Sequence, residues 1–201
     1  MKSLEPKKII LIGASTGGPS QIQKILCALP LTFDATIIIA QHMGDDFIPS
    51  FAQRLALTCQ KTITVARNTD SVKQSDIFIT SQHCRLRKDS NGVRFAVTAN
   101  QDTDFNPDIN QLFTSALDIA DDYEILAVIL TGIGDDGVEG CTKLFDAGVQ
   151  CVAESEASSV VYGMPARAKE RMQGILVKDL DEIIMMIQEF GGVDVSSISN
   201  A

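Results

Sequence analysis

Three strand-like runs, Ile9-Ile10-Leu11-Ile12, Thr36-Ile37-Ile38-Ile39-Ala40 and Leu126-Ala127-Val128-Ile129-Leu130, constrain the fold more than any other feature of this chain. None alternates polar with apolar residues, so each reads as a strand buried on both faces, as in parallel sheets covered by helices above and below. Further strands are expected near 62–65, 77–80, 149–153 and 175–178. Helical segments are expected over Pro19–Ala28, Asp46–Leu57, Pro107–Ile119, Val138–Ala147 and Asp179–Phe190. Ser90-Asn91-Gly92 at the centre of His83–Thr98 predicts an antiparallel hairpin, Asn-Gly being a strong turn signal. The expected fold class is therefore α/β: a doubly wound, mostly parallel sheet with helices on both faces and an antiparallel hairpin. A length of 201 residues with 45% apolar content suits one domain over residues 1–190. The glycine-led, serine-rich stretch 191–201 reads as a flexible C-terminal tail.

Charge and cysteine content exclude several classes of function. A net charge of −9 with no Lys/Arg cluster argues against nucleic-acid binding. The cysteines, Cys27, Cys59, Cys84, Cys141 and Cys151, are odd in number and never two residues apart. That pattern suggests neither a disulfide framework nor a zinc site, and reduced thiols in a cytoplasmic protein are expected. The start of the chain carries no signal-peptide pattern, and no apolar run approaches the ~20 residues a membrane span requires.

The first strand ends in Gly13-Ala14-Ser15-Thr16-Gly17-Gly18-Pro19. Glycines on both sides of Ser15 permit a sharp strand-to-helix turn, and the unpaired N–H groups of the coming helix lie beside the hydroxyl. That is an arrangement for a nucleophile with an adjacent oxyanion site. A phosphate-binding loop would need Lys after Gly18, where Pro19 stands. A dinucleotide fingerprint would need glycine at Ser15 and an acid after the second strand, where Gln41-His42 stands. The readings of this turn are nucleophile, helix cap and, weakened by these absences, a nucleotide-binding module.

The chemistry of a serine nucleophile calls for an imidazole to take its proton and a carboxylate to orient that imidazole. His42 falls just past the second strand, and Leu130-Thr131-Gly132-Ile133-Gly134-Asp135-Asp136-Gly137 places two carboxylates at another glycine-rich strand end. Sites in open α/β sheets collect at such carboxyl ends, near the point where the strand order reverses. The order Ser, His, Asp differs from the Ser, acid, His order of α/β-hydrolases, so a different strand connection is expected. His83, the other histidine, reads as a surface or supporting residue because its flank Cys84-Arg85-Leu86-Arg87 looks solvated.

The segments Ile12–Pro19, Gln41-His42-Met43, Leu130–Gly137 and Val161-Tyr162-Gly163-Met164-Pro165 together resemble, in the same order, the motifs of the chemotaxis protein-glutamate methylesterases. The resemblance covers roughly residues 8 to 190. It implies a serine esterase that removes methyl groups from glutamyl methyl esters on bacterial chemoreceptors, releasing methanol, and that can deamidate receptor glutamines. By position it makes Ser15 the nucleophile, His42 the general base and Asp136, rather than Asp135, the orienting acid. It adds Thr16 and Ile133 as site neighbours whose backbone N–H groups are candidate oxyanion donors. It implies no metal or organic cofactor, a cytoplasmic location, and the methylated cytoplasmic helices of chemoreceptors as partner, with no membrane insertion.

Three departures from the family pattern stand out. The first strand follows Met1–Lys8 directly, where relatives commonly carry a receiver domain, so either a single-domain member or a trimmed one is expected. Asn106-Pro107-Asp108-Ile109-Asn110 differs from the usual Pro-Ser and Asp, and Glu154 stands where relatives tend to carry Gln. The alternative function is a catalytically idle receptor-binding adaptor.

Overall fold

The computed structural model describes residues 8–99 and 105–194. Nine strands are present among them: β1 (Lys8–Ala14), β2 (Thr36–Gln41), β3 (Ile63–Val65), β4 (Ile77–Thr80), β5 (His83–Asp89), β6 (Gly92–Thr98), β7 (Glu124–Ile129), β8 (Gln150–Glu154) and β9 (Leu176–Lys178). The helices are α1 (Gly18–Ala28), α2 (Ile48–Cys59), α3 (Ile109–Ser115, extended by a 3-10 turn to Ile119), α4 (Val138–Asp146), α5 (Met164–Arg171) and α6 (Leu180–Phe190). Seven strands form one sheet in the order β3-β4-β2-β1-β7-β8-β9, all neighbours parallel, and β5 and β6 form a separate antiparallel hairpin. The expected fold class is the observed one.

The period of two along the central strands sorts their side chains into two apolar layers. Ile10, Ile12, Ile37, Ile39 and Val128 pack with Ile22, Ile25 and Leu26 of α1, Leu55 of α2 and Ile183 and Ile187 of α6. Ile9, Leu11, Ile38, Ala127 and Ile129 pack with Leu112 and Phe113 of α3, Leu144 of α4, Met164 and Ala168 of α5 and Phe95 of the hairpin. Each such side chain, fully buried, contributes about 1.5–3 kcal/mol, which is why strands β1, β2 and β7 carry no polar alternation. Proline lies in the first turn of α1, α2 and α5, where its missing N–H costs no helical bond. The start of α6 is fixed by a capping box between Asp179 and Glu182.

Strand order makes the site. The chain leaves β1 toward β2, β4 and β3, then returns to place β7 on the other side of β1. The reversal lies between β1 and β7, and the chain leaves their carboxyl ends toward opposite faces, β1 into α1 in one apolar layer and β7 into α4 in the other, the place where such sheets form a crevice.

Three features correct or extend the sequence reading. Helix α5 was not expected: its eight residues bury only Met164, Pro165 and Ala168, too short an apolar stripe to register as a period. Cys27 and Cys59 form a disulfide, against the expectation of reduced thiols throughout. The last turns of α1 and α2 bring the two Cα atoms to 4.3 Å, a proximity that sequence spacing does not reveal. Cys84, Cys141 and Cys151 are free and buried. Most of the expected tail, 195–201, lies outside the described residues. Its beginning is packed, since the Gly191 carbonyl accepts the Asp34 N–H at 2.9 Å and Val193 rests against the α1–α6 layer.

Candidate active site

The turn after β1 carries Ser15 into the crevice, half-buried. Its N–H donates to the Thr131 carbonyl at 3.0 Å, and its carbonyl accepts the Gly18 N–H at 2.9 Å. Gly17, at φ +86°, is the N-cap of α1, and no side chain caps this helix, so Ser15 is not a helix cap. The turn needs a residue free to adopt positive φ here, and a Cβ on Gly17 would also meet Val160 at 2.5 Å. From the β7 side, Gly132 abuts the serine so closely that a Cβ there would lie 2.6 Å from Ser15 Cβ and 2.3 Å from Met164 Sδ.

His42 follows β2, whose register pairs Gln41 with Ala14, so the histidine comes level with Ser15 on the neighbouring strand. Its N–H donates to the Ala14 carbonyl at 2.9 Å. Its Nε2 lies 2.7 Å from Asp136 Oδ2, with the histidine side chain 14% and the aspartate 1% exposed. Phe105 stacks on the imidazole at a centroid distance of 5.4 Å and an interplanar angle of 13°. Asp135, the other carboxylate of the pair, is exposed.

Asp136 is held by more than the histidine. Oδ2 also accepts the Ile109 N–H at 2.8 Å, and Oδ1 accepts the N–H groups of Asn110 at 3.0 Å and Gly137 at 2.8 Å. These donors fill the acceptor positions of an ionised carboxylate and fix its plane toward His42. The first-turn amides of α3 supply two of them, and Asp108 caps the same helix by accepting the Gln111 N–H at 2.7 Å.

The two remaining predicted residues lie where β1 and β7 end. Thr16 and Ile133 are both exposed, and among the described residues neither backbone N–H donates to a protein acceptor. Together Ser15, His42, Asp136, Thr16 and Ile133 sit on the loops at the carboxyl edge of β1, β2 and β7. The arrangement has a hydroxyl, an imidazole paired with a buried carboxylate, and free main-chain donors, which are the parts of acyl transfer through a serine.

Several supporting residues escaped the sequence reading. Gln41 is buried, and its Nε2 donates to the carbonyls of both Ser15 and His42, at 2.9 and 3.0 Å. The Thr131 hydroxyl donates to the Thr16 carbonyl at 2.9 Å and accepts the Val161 N–H at 2.8 Å, tying the serine turn to the loop before α5. Of the two readings of His83, surface and supporting, the structure bears out the second: it is 3% exposed, and its Nδ1 accepts the Asp108 N–H at 3.1 Å, beneath the segment that holds Asp136. Its flanking Arg85 and Arg87 face solvent while Cys84 and Leu86 face inward, so the solvated pattern described only one face of β5. Among the described residues no cluster of three or more His, Cys, Asp or Glu is placed to hold a metal.

A surface hollow of about 460 Å³, lined in part by Asp121, Asp122 and Glu124, lies at the starts of β7 and β8, at the other edge of the sheet from Ser15. Near Ser15, the apolar side chains of Ile133 and Val160 are exposed.

Comparison with known proteins gives a consistent result. Residues 10–187 match the family model described as CheB methylesterase. A protein-glutamate methylesterase/protein-glutamine glutaminase of Carboxydothermus hydrogenoformans is 36% identical over 170 residues, covering 82% of this chain and 48% of its own length. One from Lawsonia intracellularis is 38% identical over 180 residues, covering 88% of this chain and 50% of its own. The chain thus spans about half the length of the curated relatives it matches. The crystal structure of the Thermotoga maritima CheB methylesterase catalytic domain superposes with a TM-score of 0.82 at 32% identity, covering 90% of this chain and 97% of that one. Sequence model, relatives and fold agree, and the chain belongs to the CheB methylesterase family.

Proposed function

We propose that this chain is a serine esterase that hydrolyses glutamyl methyl esters on bacterial chemoreceptors, releasing methanol, and that the same acyl-enzyme chemistry deamidates receptor glutamines. Membership of the CheB methylesterase family and the names of its relatives support the substrate class. The observation that carries the mechanism is the 2.7 Å contact between His42 Nε2 and the buried carboxylate of Asp136, beside Ser15.

In this reading the Nε2–H of His42 donates to Asp136, which leaves Nδ1 to take the proton of Ser15 Oγ as it attacks the ester carbonyl. Charge developing on the carbonyl oxygen is held by the free N–H groups of Thr16 and Ile133. The imidazolium, stabilised by Asp136, then protonates the departing methoxide, and His42 next activates the water that frees the acyl-enzyme. Phe105 over the ring limits water around the imidazole.

The partner is the methylated cytoplasmic helices of chemoreceptors, and the place of action is the cytoplasm. Among the described residues no helix is long and apolar enough to cross a membrane. Methanol release from methylated receptor fragments, lost in Ser15→Ala, tests the proposal.

A further inference from the structure

Helix α2, the first element after His42, has a second stripe beside its buried one. Phe47, its N-cap residue, and Ser50, Phe51 and Arg54 recur at i, i+3, i+4 and i+7, the spacing of one helix face. With Met43 they line a surface groove of about 300 Å³ that starts at the residue next to His42. From Phe47 to Arg54 the stripe runs about 10 Å, at 1.5 Å per residue. Phe47 is 67% exposed, and Phe51 forms the floor. The head of the groove is fixed against the site. The Met43 N–H donates to the Asn106 carbonyl at 3.2 Å, the Asn106 amide donates to Asp45, and the adjoining Phe105 stacks on His42.

Charge is ordered along this stripe. Asp45 and the exposed Asp46 stand on the turn before Phe47, and Arg54 stands at the far end. The Arg54 guanidinium carbon lies 5.5 Å from the centroid of the Phe51 ring, a contact that orders the side chain. Among the described residues no carboxylate pairs with Arg54. In a chain of net charge −9, this is an ordered cation turned outward beside an apolar groove. The acidic head disfavours an anion and suits a neutral ester with an apolar neighbour. The arginine, with its planar fork of N–H donors, suits a carboxylate.

We propose that this flank of α2 is the docking surface for the receptor helix that carries the methyl ester. An apolar side chain about one turn from the ester seats against Met43, Phe47 and Phe51, and a carboxylate about two turns from the ester pairs with Arg54. The inference rests on the esterase reading and names the part of the substrate that the site grips. A helical partner repeats its side chains at the spacing of α2 itself, with neighbours on one face about 5–6 Å apart and residues two turns apart about 10 Å. That match of period, apolar beside the site and cationic two turns away, selects an amphipathic acidic helix over an extended peptide. The apolar contact supplies affinity, and the arginine fixes the register.

The test is KM for methanol release from a helical, methylated receptor fragment by the whole chain. Arg54→Glu is expected to raise KM about fivefold at low salt, the scale of an exposed ion pair. Phe47→Ser should raise it about tenfold, the scale of a partly buried ring, and Phe47→Leu should restore most of that loss. Each effect should fall on KM, with kcat lowered less than about twofold. In the fragment, lysine is exchanged in turn for each carboxylate on the face of the ester. At one position, about two turns from the ester, the exchange should raise KM for wild type and lower it for Arg54→Glu. Unchanged KM in Arg54→Glu and Phe47→Ser, or a loss in Arg54→Glu that no exchange reverses, overturns the proposal. If a variant fails to fold, wild type decides alone. Its KM should rise with that lysine and with serine in place of the apolar residue one turn from the ester, and an unchanged KM overturns the docking. Wild type that releases no methanol ends the esterase reading and the docking with it, whereas turnover with KM indifferent to all these changes ends the docking alone.

Discussion

The side-chain amide of Gln41 bonds the main-chain carbonyl of Ser15 at 2.9 Å, and the same nitrogen reaches the carbonyl of His42 at 3.0 Å. A single buried amide thus sets the spacing between the serine and the histidine of the site. Gln41→Met keeps the volume and removes both donors. It is expected to cost about 1 kcal/mol of stability, since the Ser15 carbonyl keeps the Gly18 N–H while the His42 carbonyl loses its donor, measurable by urea unfolding. Turnover should fall by about 10- to 100-fold, since displacements near 1 Å between reacting groups have effects of that size.

The two adjacent aspartates should behave oppositely. Asp136 accepts from His42, Ile109, Asn110 and Gly137, whereas Asp135 is exposed. Asp136→Asn turns an amide N–H toward donors and disturbs the imidazole tautomer, so kcat should drop on the order of 10⁴-fold. Asp135→Asn should leave kcat unchanged and stability within about 0.5 kcal/mol. Equal losses in the two variants would remove Asp136 from the role assigned to it.

Gly132 is where the β7 loop touches Ser15. An alanine Cβ there would sit 2.6 Å from Ser15 Cβ and 2.3 Å from Met164 Sδ, closer than carbon and sulfur tolerate. Gly132→Ala is expected to push the serine turn away from β7 and cut kcat by about 100-fold, with secondary structure by circular dichroism preserved. A Cβ added at Gly148 would meet nothing within 4 Å, but φ there is +84°, so Gly148→Ala should cost stability through backbone strain and leave kcat intact.

The cysteines give a count that can be read with a thiol reagent. Cys84, Cys141 and Cys151 are buried, and burial alone pushes the Cys84 thiol up to about 12, so the native protein should react at none of them at pH 8. Denaturation without reductant should expose three thiols, and denaturation with reductant all five. Breaking the Cys27–Cys59 bond, which closes a loop with a sequence separation of 32, should lower stability by about 3 kcal/mol. The bond lies at the far ends of α1 and α2 from Ser15, so kcat at 25 °C should survive its reduction.

What the sequence disclosed and what it hid follow from the range of the interactions involved. The buried strands β1, β2 and β7 were legible because both of their faces are apolar, and the hairpin because Asn91-Gly92 sets its turn locally. The residues of the site stand at the strand ends, and the strand order carries them to one edge. The family resemblance, not the bare letters, selected Asp136 over Asp135. Hidden were features set by distant partners: the Cys27–Cys59 bond, the burial of His83 under Asp108, and the hydrogen bonds of Glu154 to Gln21, 133 residues away, and to Thr131. Helix α5 was hidden for another reason, since a short helix that buries three residues leaves almost no periodic trace.

The central claim, a serine esterase acting on receptor methyl esters, is tested most directly by methanol release from methylated chemoreceptor fragments. The purified chain and Ser15→Ala are compared, with folding of both verified by circular dichroism. Release by the parent is predicted, with a loss of about 10⁴- to 10⁶-fold in the variant, as expected for a serine that acts as one unit with His42 and Asp136. Absence of release by the folded parent on a fragment that another methylesterase demethylates, or equal release by Ser15→Ala, would contradict it.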